Sequence, residues 1–372
     1  MKKSSVLVYS LLILTGLFNA GCRENSIFLA GGFTNEGEKG FTVFKFNSRN
    51  GIPEKISEWD AGPKPAFFCY NNKRNLIYII NEVKEFRGKA GSGVTTMEYD
   101  PVNKLMKKRN EILVPYGGSC HISMSADAQF LFFANYASGS VAVIGLDENG
   151  IPDRVADTIL YEAEAPDVSH AHMILQDPAG KYIYLTDLGL DRIVKYELET
   201  GTGKLIQSEN GITELAKGSG PRHFTFNTDG SKMYVINELG STIMVFNVIE
   251  NGVLKLVQTL PTVKPGFKGE NFCADIHIGK DGRFLYGSNR GENSIVVFRI
   301  ESDGTLTLTG SVPCGGNWPR NFIIDPSGKF MLVGNQRSDN ISVLRINRKS
   351  GLPGEPVSNT SLKAPGCLRF WE

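Results

Sequence analysis

The segment from Gly220 to Glu238 carries two charged side chains that could bind and transform a small anionic molecule. It reads GPRHFTFNTDGSKMYVINE, with Arg222 before one alternating apolar run, Glu238 after a second, and an Asp229-Gly230 turn between them. Two such runs about a DG turn predict a β-hairpin. Because an antiparallel hairpin returns to its starting end, Arg222 and Glu238 are expected to lie together. An arginine can hold a carboxylate or phosphate, and a glutamate can transfer a proton.

The same hairpin recurs along the chain. The position of Arg222 is taken in the other repeats by Ala66, Cys120, His172, Ala274 and Arg320, at intervals of 54, 52, 50, 52 and 46 residues. Each hairpin is followed by a third alternating run and then, after a turn that contains glycine, by a fourth. A regular period near 50 with four strands per repeat predicts the blades of a β-propeller.

The ends of the chain supply one further blade. Six complete repeats lie between about residue 62 and residue 361, and Ile27–Ile56 lacks a first strand, whereas Ala364–Trp371 lacks the other three. We therefore expect an all-β, seven-bladed β-propeller with four-stranded blades, in which the C-terminal strand joins the N-terminal blade and closes the ring. Closure removes open sheet edges. A single domain over residues 23–372 and a monomer are predicted.

Residues 1–22 have the features of an export signal. Lys2 and Lys3 precede an apolar segment, 6–18, which is too short to span a bilayer comfortably, and AGC follows it at 20–22. This ending resembles a bacterial lipoprotein signal in which Cys22 is lipidated, although Asn19 stands where such signals usually carry Leu. The segment predicts an exported protein, periplasmic or an outer-membrane lipoprotein of a bacterium. Ordinary secretion and an uncleaved anchor are the alternatives.

Composition excludes several functional classes. Forty Lys and Arg nearly balance 39 Asp and Glu, and no block of like charge stands out, so a nucleic-acid-binding surface is not expected. Five cysteines follow Cys22, an odd number without a CxxC pair, which argues against a disulfide framework. Close Cys or His pairs of the kind that zinc requires are scarce, and no structural metal is predicted.

The propeller arrangement brings residues of successive repeats together. The start of the innermost strand and the end of the second strand of each blade share one face of the ring, so six side chains should converge on one channel mouth: His172, Arg222, Arg320, Glu238, Arg290 and Gln336. Equivalent positions in other blades hold Ala66, Ala274 and Leu188. Because the ring does not repeat these charges, a function is favoured over a scaffold role. Blade packing is an equal alternative for Arg320.

Other polar residues near this face have structural interpretations. Each second strand ends in Asn or Asp, namely Asn81, Asn135, Asp187, Asn237, Asn289 and Asn335, and such residues often bond neighbouring backbone. His121 and His223 follow the Arg222 position by one place, so strand alternation predicts that they point away from it. Cys120 is a candidate nucleophile, but an inert buried thiol is favoured.

The repeats resemble the seven-bladed lactonase family, which includes the propeller-type 6-phosphogluconolactonases and the fungal carboxymuconate-lactonizing enzymes. The resemblance covers essentially everything after the signal. The segments that carry it are GGSCHISMSADAQFLFFANYASGSVAV, DVSHAHMILQDPAGKYIYLTDLG, GPRHFTFNTDGSKMYVINE, CADIHIGKDGRFLYGSNR and PRNFIIDPSGKFMLVGNQ.

The resemblance implies catalytic roles for the residues that match the family's pattern: His172 in SHAH, Arg222 in GPRH, Glu238 in NE and Arg290 in SNR. His172 or Glu238 would act as general base, and the arginines would hold an anionic substrate. Substrate contacts are expected from His121, Asp187, Asp275, His277, Arg320 and Gln336. No cofactor is implied, and the expected partner is a small-molecule lactone.

The leading hypothesis is a hydrolase that opens a sugar-acid lactone without a metal. The family's best-known substrate is 6-phosphogluconolactone, but phosphorylated sugars are cytoplasmic, so an exported enzyme would favour an unphosphorylated aldono- or uronolactone. A muconate-type cycloisomerase, and a non-catalytic propeller that binds a ligand or partner at the cell surface, are the alternatives.

Overall fold

The computed structural model describes residues 25–162 and 166–371, which form seven four-stranded antiparallel sheets arranged as the blades of a propeller. The predicted export signal and Cys22 lie outside the described residues. Blades 1 to 6 follow one another along the chain, and within each the strands run in chain order from the channel outward. The predicted all-β propeller is confirmed. In the described part of the chain, no helix is long and apolar enough to cross a membrane.

The strands of blades 1 to 6 are Phe67–Asn71, Leu76–Asn81, Ser92–Asp100 and Leu105–Val114; Ser119–Met124, Phe130–Asn135, Ser140–Leu146 and Pro152–Leu160; Ala171–Gln176, Tyr182–Asp187, Arg192–Leu198 and Leu205–Glu214; Pro221–Phe226, Lys232–Asn237, Thr242–Val248 and Leu254–Pro261; Phe272–Ile278, Phe284–Arg290, Ser294–Ile300 and Leu306–Pro313; Pro319–Ile324, Phe330–Asn335, Asn340–Ile346 and Pro353–Ser361. Two short 3-10 helices occupy Asn72–Arg74 and Glu250–Gly252.

The closing blade joins both ends of the chain. Its innermost strand is Pro365–Trp371, and its outer strands are Asn25–Gly32, Phe41–Asn47 and Ile52–Trp59. Phe370 pairs with Phe28 across the junction, so the ring is closed by the C-terminal strand as predicted. Stacked and edge-on phenylalanine rings, including Phe28 on Phe44 at 4.7 Å, fill this blade. Terminal strands far apart in sequence are thereby fixed by a common core.

One insertion was not predicted from the sequence. A hairpin of Glu85–Phe86 and Lys89–Ala90 lies between the second and third strands of blade 1. Phe86 is buried against Gly93 of the third strand, where the ring occupies the space that a Cβ would need. The hairpin strands are too short to show an alternating pattern in the sequence.

A repeated tyrosine ties neighbouring blades together. The middle of the second strand carries Tyr78, Tyr184, Tyr234 and Tyr286 in blades 1, 3, 4 and 5. Each hydroxyl donates to a glycine carbonyl in the outer turn of the next blade; the acceptors are Gly150, Gly252, Gly304 and Gly351, at 2.7, 2.7, 2.9 and 3.0 Å. Because successive side chains of a strand point to opposite faces of the sheet, this tyrosine faces the neighbouring blade.

The replacement Tyr184→Phe is expected to lower the free energy of unfolding by about 1–2 kcal/mol, because it leaves the buried Gly252 carbonyl without its donor. Denaturant unfolding would measure the change. The exposed Tyr116, at 40% relative exposure, offers the control Tyr116→Phe, which should leave stability unaltered. Equal free energies of unfolding for the two variants would show that the hydrogen bond from Tyr184 to Gly252 does not stabilise the fold.

Candidate active site

The innermost strands of blades 2 to 6 each contain a β-bulge near their start. In blade 4, Pro221 pairs with Asn237 and His223 with Ile236, which leaves Arg222 as the extra residue. The same shift isolates Cys120, His172 and Arg320 in blades 2, 3 and 6, and blade 5 shows a shift between Cys273 and Ile276. Bulges re-aim side chains and are common beside active sites. The aligned position of the sequence repeat is therefore one where the backbone departs from regular alternation.

Arg222, Glu238 and Arg290 form a compact ionic group, here termed the arginine–glutamate centre. The Oε2 atom of Glu238 accepts a hydrogen bond from Arg222 Nε at 2.8 Å and forms an ion pair with Arg290 Nη2 at 2.6 Å. Both guanidinium groups also donate to backbone carbonyls, Arg222 to Ala274 and Arg290 to Phe272 and Cys273. The arginines are therefore fixed before any ligand arrives.

Glu238 remains ionised in this setting. Burial alone would raise the pKa of its carboxyl group, but Arg290, Arg222 and Arg320 outweigh burial and hold the pKa below its ordinary value of 4.5. Its side chain is 16% exposed, and both ion pairs use Oε2. The Oε1 atom receives no hydrogen bond from the described residues and is available to a water molecule or substrate.

Glu82 is a second carboxyl group at this mouth, which the sequence reasoning did not single out as a site residue. It follows Asn81 in blade 1 as Glu238 follows Asn237 in blade 4, and its Oε2 lies 3.9 Å from Arg320 Nη2. That oxygen is buried and has no hydrogen-bond partner among the described residues. Burial raises the pKa of Glu82, against the opposing effect of Arg320 and other cations. The repeated Asn-Glu dipeptide was the signal that could have identified it.

Aromatic rings border the cations. Trp318 lies against Arg290, whose guanidinium carbon is 5.4 Å from the centroid of the indole ring. Phe33 lies against Arg320, whose guanidinium carbon is 4.7 Å from the centroid of the phenyl ring. Trp318 adopts a positive φ of 67°, and φ is also positive at Lys64 and Ala364, which likewise precede a proline at the entry to an innermost strand, so this conformation belongs to the blade repeat. These contacts hold the guanidinium planes, since arginine stacks favourably on aromatic faces.

Three histidines and a phenylalanine from neighbouring innermost strands meet below the arginine–glutamate centre and form what we term the histidine layer: Phe67, His121, His172 and His223. Ring centroids of His172 and His223 are 5.2 Å apart, and those of His121 and Phe67 are 4.7 Å apart. Burial, assisted by Arg222, lowers the pKa of His172 well below 6.5, so it is neutral at pH 7. Its Nδ1 atom is buried without a partner among the described residues.

The prediction that His223 turns away from Arg222 is wrong. Its Nε2 lies 3.3 Å from Arg222 Nη1, and the ring also contacts His121. The reason is the bulge at Arg222, which breaks the alternation on which the prediction depended. Burial and Arg222 lower the pKa of His223 to about 4, with Asp275 opposing them. A neutral His223 can accept a hydrogen bond from Arg222 and donate one to Asp275.

Asp275 and His277 lie beyond the histidine layer rather than among the arginines. Asp275 Oδ1 is 2.8 Å from His223 Nδ1, and Oδ2 is 2.9 Å from His277 Nε2. Asn321 Nδ2 also donates to Oδ2, at 2.5 Å. Although burial would raise the pKa of Asp275, its histidine neighbours hold it well below 3.8. This ionised carboxylate orients His223, which in turn contacts Arg222.

The family model described as lactonase, 7-bladed beta-propeller, matches residues 27–370. The chain belongs to the seven-bladed β-propeller lactonase family. A 6-phosphogluconolactonase of Formosa agariphila is 34% identical over 340 residues, covering 87% of this chain and 94% of the relative. The 6-phosphogluconolactonase of Bacillus subtilis is 27% identical over 349 residues, covering 91% and 97%.

Among solved structures, the periplasmic gluconolactonase of Pseudomonas aeruginosa superposes on this lactonase with a TM-score of 0.88 and 28% identity, covering 93% of this chain and 99% of the other. A Bacteroides fragilis protein described as a putative 6-phosphogluconolactonase gives a TM-score of 0.86 and 27% identity, covering 94% and 98%. The predicted enzyme class, a lactonase, is confirmed with the family.

The lactonase fold does not bring every predicted site residue to this mouth. Asp187 is fully buried at the end of its strand, where it accepts bonds from Ser169, the His170 amide and the Leu190 amide and pairs with Arg192. Its side chain is thus occupied by its own blade, in line with the structural interpretation of the Asn/Asp positions.

Two further sequence candidates occupy different settings in the lactonase. Gln336 follows Asn335 in blade 6, is half-buried, and among the described residues its side chain forms no hydrogen bond with the arginines. Cys120 is buried, and burial raises the pKa of its thiol to about 12, which favours the inert interpretation. Within 25–162 and 166–371, no group of three or more His, Cys, Asp or Glu side chains is arranged to hold a metal ion.

Proposed function

We propose that this lactonase hydrolyses the ester bond of a sugar-acid lactone at the mouth formed by the arginine–glutamate centre, Arg320 and Glu82. The observation that carries the proposal is a pair of glutamates in unlike settings beside three arginines. Glu238 is paired with Arg222 and Arg290 at 2.8 and 2.6 Å. By contrast, the buried Oε2 of Glu82 lacks a hydrogen bond from the described residues and lies 3.9 Å from Arg320. These settings lower the pKa of Glu238 and raise that of Glu82. Environments that separate two such pKa values mark the base and the acid of a hydrolytic reaction. Glu238 is the base in this assignment, and Glu82 is the acid.

The arginines bind the substrate and polarise its ester. Three arginines face two glutamates, so the mouth attracts anions. A carboxylate or phosphate on the substrate is held by Arg320 or Arg290, because a guanidinium presents paired N–H donors to such groups. Arg222, held by Glu238 and the Ala274 carbonyl, stabilises the oxyanion that develops at the ester carbon.

The two glutamates carry the proton transfers. Glu238 Oε1 accepts a proton from the attacking water while Oε2 stays bound to the arginines. The new C–O bond forms the tetrahedral intermediate, whose collapse breaks the bond to the ring oxygen. Glu82 donates its proton to that departing oxygen, which yields the hydroxy acid. Exchange with solvent then returns both glutamates to their starting states.

His172 is proposed as a neutral hydrogen-bonding contact to the substrate rather than as the base. Its Nδ1 atom is buried in the described structure and does not reach solvent. The open Oε1 atom of Glu238, by contrast, needs no rearrangement to meet water. The substrate contacts predicted for His121 and Gln336 remain proposals of supporting contacts around this group. Asp275 is proposed to act through His223, because both of its oxygens are already bound.

The substrate is proposed to be an unphosphorylated aldono- or uronolactone. Residues 1–22 support export, and the structural neighbour from Pseudomonas aeruginosa is described as a periplasmic gluconolactonase. Phosphorylated sugar lactones belong to the cytoplasm, so the relatives called 6-phosphogluconolactonase indicate the reaction more directly than the substrate. A location in the periplasm or at the outer membrane, with a lipid on Cys22 as the membrane anchor, completes the proposal. A monomer is expected.

The reaction is tested with a panel of lactones at controlled pH, by following acid release above the spontaneous rate. Glucono-1,5-lactone or a uronolactone is expected to react faster than 6-phosphogluconolactone. A preference for the phosphorylated lactone would contradict the substrate but not the reaction. Absence of acceleration on every member would contradict the hydrolase, and saturable binding without turnover would favour a binding propeller. Turnover of a carboxymuconate alone would favour the cycloisomerase.

A further inference from the structure

A second cavity lies in the channel beyond the histidine layer. It has a volume of about 380 Å³ and extends from His121, His223 and Asp275 toward Tyr70, His277 and Arg369. Neither Glu238, Glu82 nor the three arginines of the catalytic mouth line it. Its walls come from residues later along the innermost strands, such as Leu175 and Ile323. The volume falls in the range of small-molecule pockets.

Arg369, on the closing strand, is the cation of this cavity. Its guanidinium lies over the Phe67 ring, 5.1 Å from the centroid, and its Nε atom is buried with no hydrogen-bond partner in the described structure. Among the described residues, no carboxylate forms an ion pair with it. The other channel arginines differ, since Arg222 and Arg290 pair with Glu238, and Arg320 faces Glu82.

The nearby carboxylate is already engaged. Both oxygens of Asp275 are bound, to His223 on one side and to His277 and Asn321 on the other. Arg369 is half-buried, and its enclosed Nε has no partner among the described residues. A cation partly closed off from water without a paired anion is costly, and proteins usually satisfy it with a counter-charge or a ligand. His277, with 38% of its side chain exposed, uses Nε2 for Asp275. Its Nδ1 is therefore the nitrogen available to a molecule in the cavity.

We propose that this cavity is a second ligand site, which binds a small oxyanion, a carboxylate or a phosphate group, through Arg369 with His277 at its edge. The guanidinium supplies paired donors to two oxygens of the anion, and the apolar walls cover the rest of the ligand. The site is separated from the catalytic mouth by the histidine layer, so it does not depend on the proposed hydrolysis. Its ligand need not be the lactone.

The test uses histidine resonances, because the whole chain contains only five histidines. The full-length protein carrying ¹³C-labelled histidine is titrated with sodium acetate and with sodium phosphate, against sodium chloride at equal ionic strength. His277→Gln assigns the resonance. A saturable shift of His277 with acetate, phosphate or both is expected, and the arm that saturates identifies the ligand chemistry. In Arg369→Met the affinity should fall at least tenfold.

Two variants keep the outcome decisive. Thr225→Glu places a carboxylate in the same cavity and should weaken the anion in the same way, which serves if Arg369→Met does not fold. Arg290→Met changes the catalytic mouth only and should leave the His277 titration as in the wild type. The proposal is overturned if His277 responds no more to either anion than to chloride, or if the Arg369→Met and Thr225→Glu titrations match the wild type.

Discussion

Replacing Glu238 with glutamine is expected to lower kcat for lactone hydrolysis by roughly 10³-fold, since general-base catalysis contributes about 10²–10⁴. Glutamine fills the same volume but cannot accept the proton of the attacking water. It also removes the charge that holds Arg222 and Arg290 at 2.8 and 2.6 Å. Initial rates on the best lactone of the panel, corrected for the spontaneous reaction, measure the loss.

Two readouts separate a base from a residue that only orients the arginines. Loss of the base lowers kcat with little change in KM, whereas misplaced arginines raise KM. In Glu238→Ala, added formate should restore part of kcat, because a small carboxylate can enter the vacated space and take the proton. Rescue without a change in KM supports the role of Glu238 as the base.

The replacement His172→Ala should lower kcat by about tenfold or less, because it removes only one hydrogen bond to the substrate.

The chain offers a matched control in Glu111. This glutamate also pairs with two cations, Arg87 at 3.0 Å and Lys108 at 2.6 Å, and its side chain is 20% exposed against 16% for Glu238. It lies on the outermost strand of blade 1, away from the channel. Glu111→Gln should keep full activity. If Glu238→Gln were equally active, or if His172→Ala alone abolished kcat, the assignment of the base to Glu238 would be wrong.

The fold could be predicted because the ring repeats one local pattern. A blade is built from neighbouring strands, and the hairpin turns mark it every 50 or so residues in the sequence. The ring closure followed from counting strands at the two ends of the chain. The N-terminal part lacks the first strand of a blade, and the C-terminal end has one strand that belongs to no other blade. The hairpin inserted at Glu85–Phe86 escaped notice because it interrupts the repeat without a period of its own.

The site was predictable where charge broke the repeat, and less so where backbone geometry intervened. Arg222 stood out against Ala66 and Ala274, and Glu238 and Arg290 stood out against Leu188. The structure places the three charged residues in one ionic group. The orientation of His223 depended on a bulge that leaves no mark in the residue types. Arg369 could not be recognised, since its isolation from carboxylates arises from three-dimensional packing of the last strand.

Replacing Glu82 with glutamine is expected to lower kcat on sugar lactones by roughly 10²-fold, because a departing alkoxide then lacks its proton donor. The effect should depend on the leaving group. An aryl lactone such as dihydrocoumarin releases a phenol, whose pKa of about 10 makes protonation far less important. Its rate should change by less than about fivefold, since the donor contributes only where the leaving oxygen is basic. Comparing the two substrates measures the contribution of Glu82.

The pH dependence of kcat tests the roles of the two glutamates independently. Glu238 must be ionised, and its lowered pKa places the loss of activity in acid below its ordinary value of 4.5. Glu82 must be protonated, and its raised pKa means that activity falls as pH increases through a value above 4.5. Glu82→Gln should therefore lose the alkaline decline and keep the acid one. The control Glu98→Gln removes a glutamate that is paired with Arg109 in the same blade, and it should retain both the acid and the alkaline decline.

Two results together would contradict the role of Glu82 as the acid: an unchanged alkaline decline in Glu82→Gln and equal losses of kcat on both lactones. The departing oxygen would then be protonated by water.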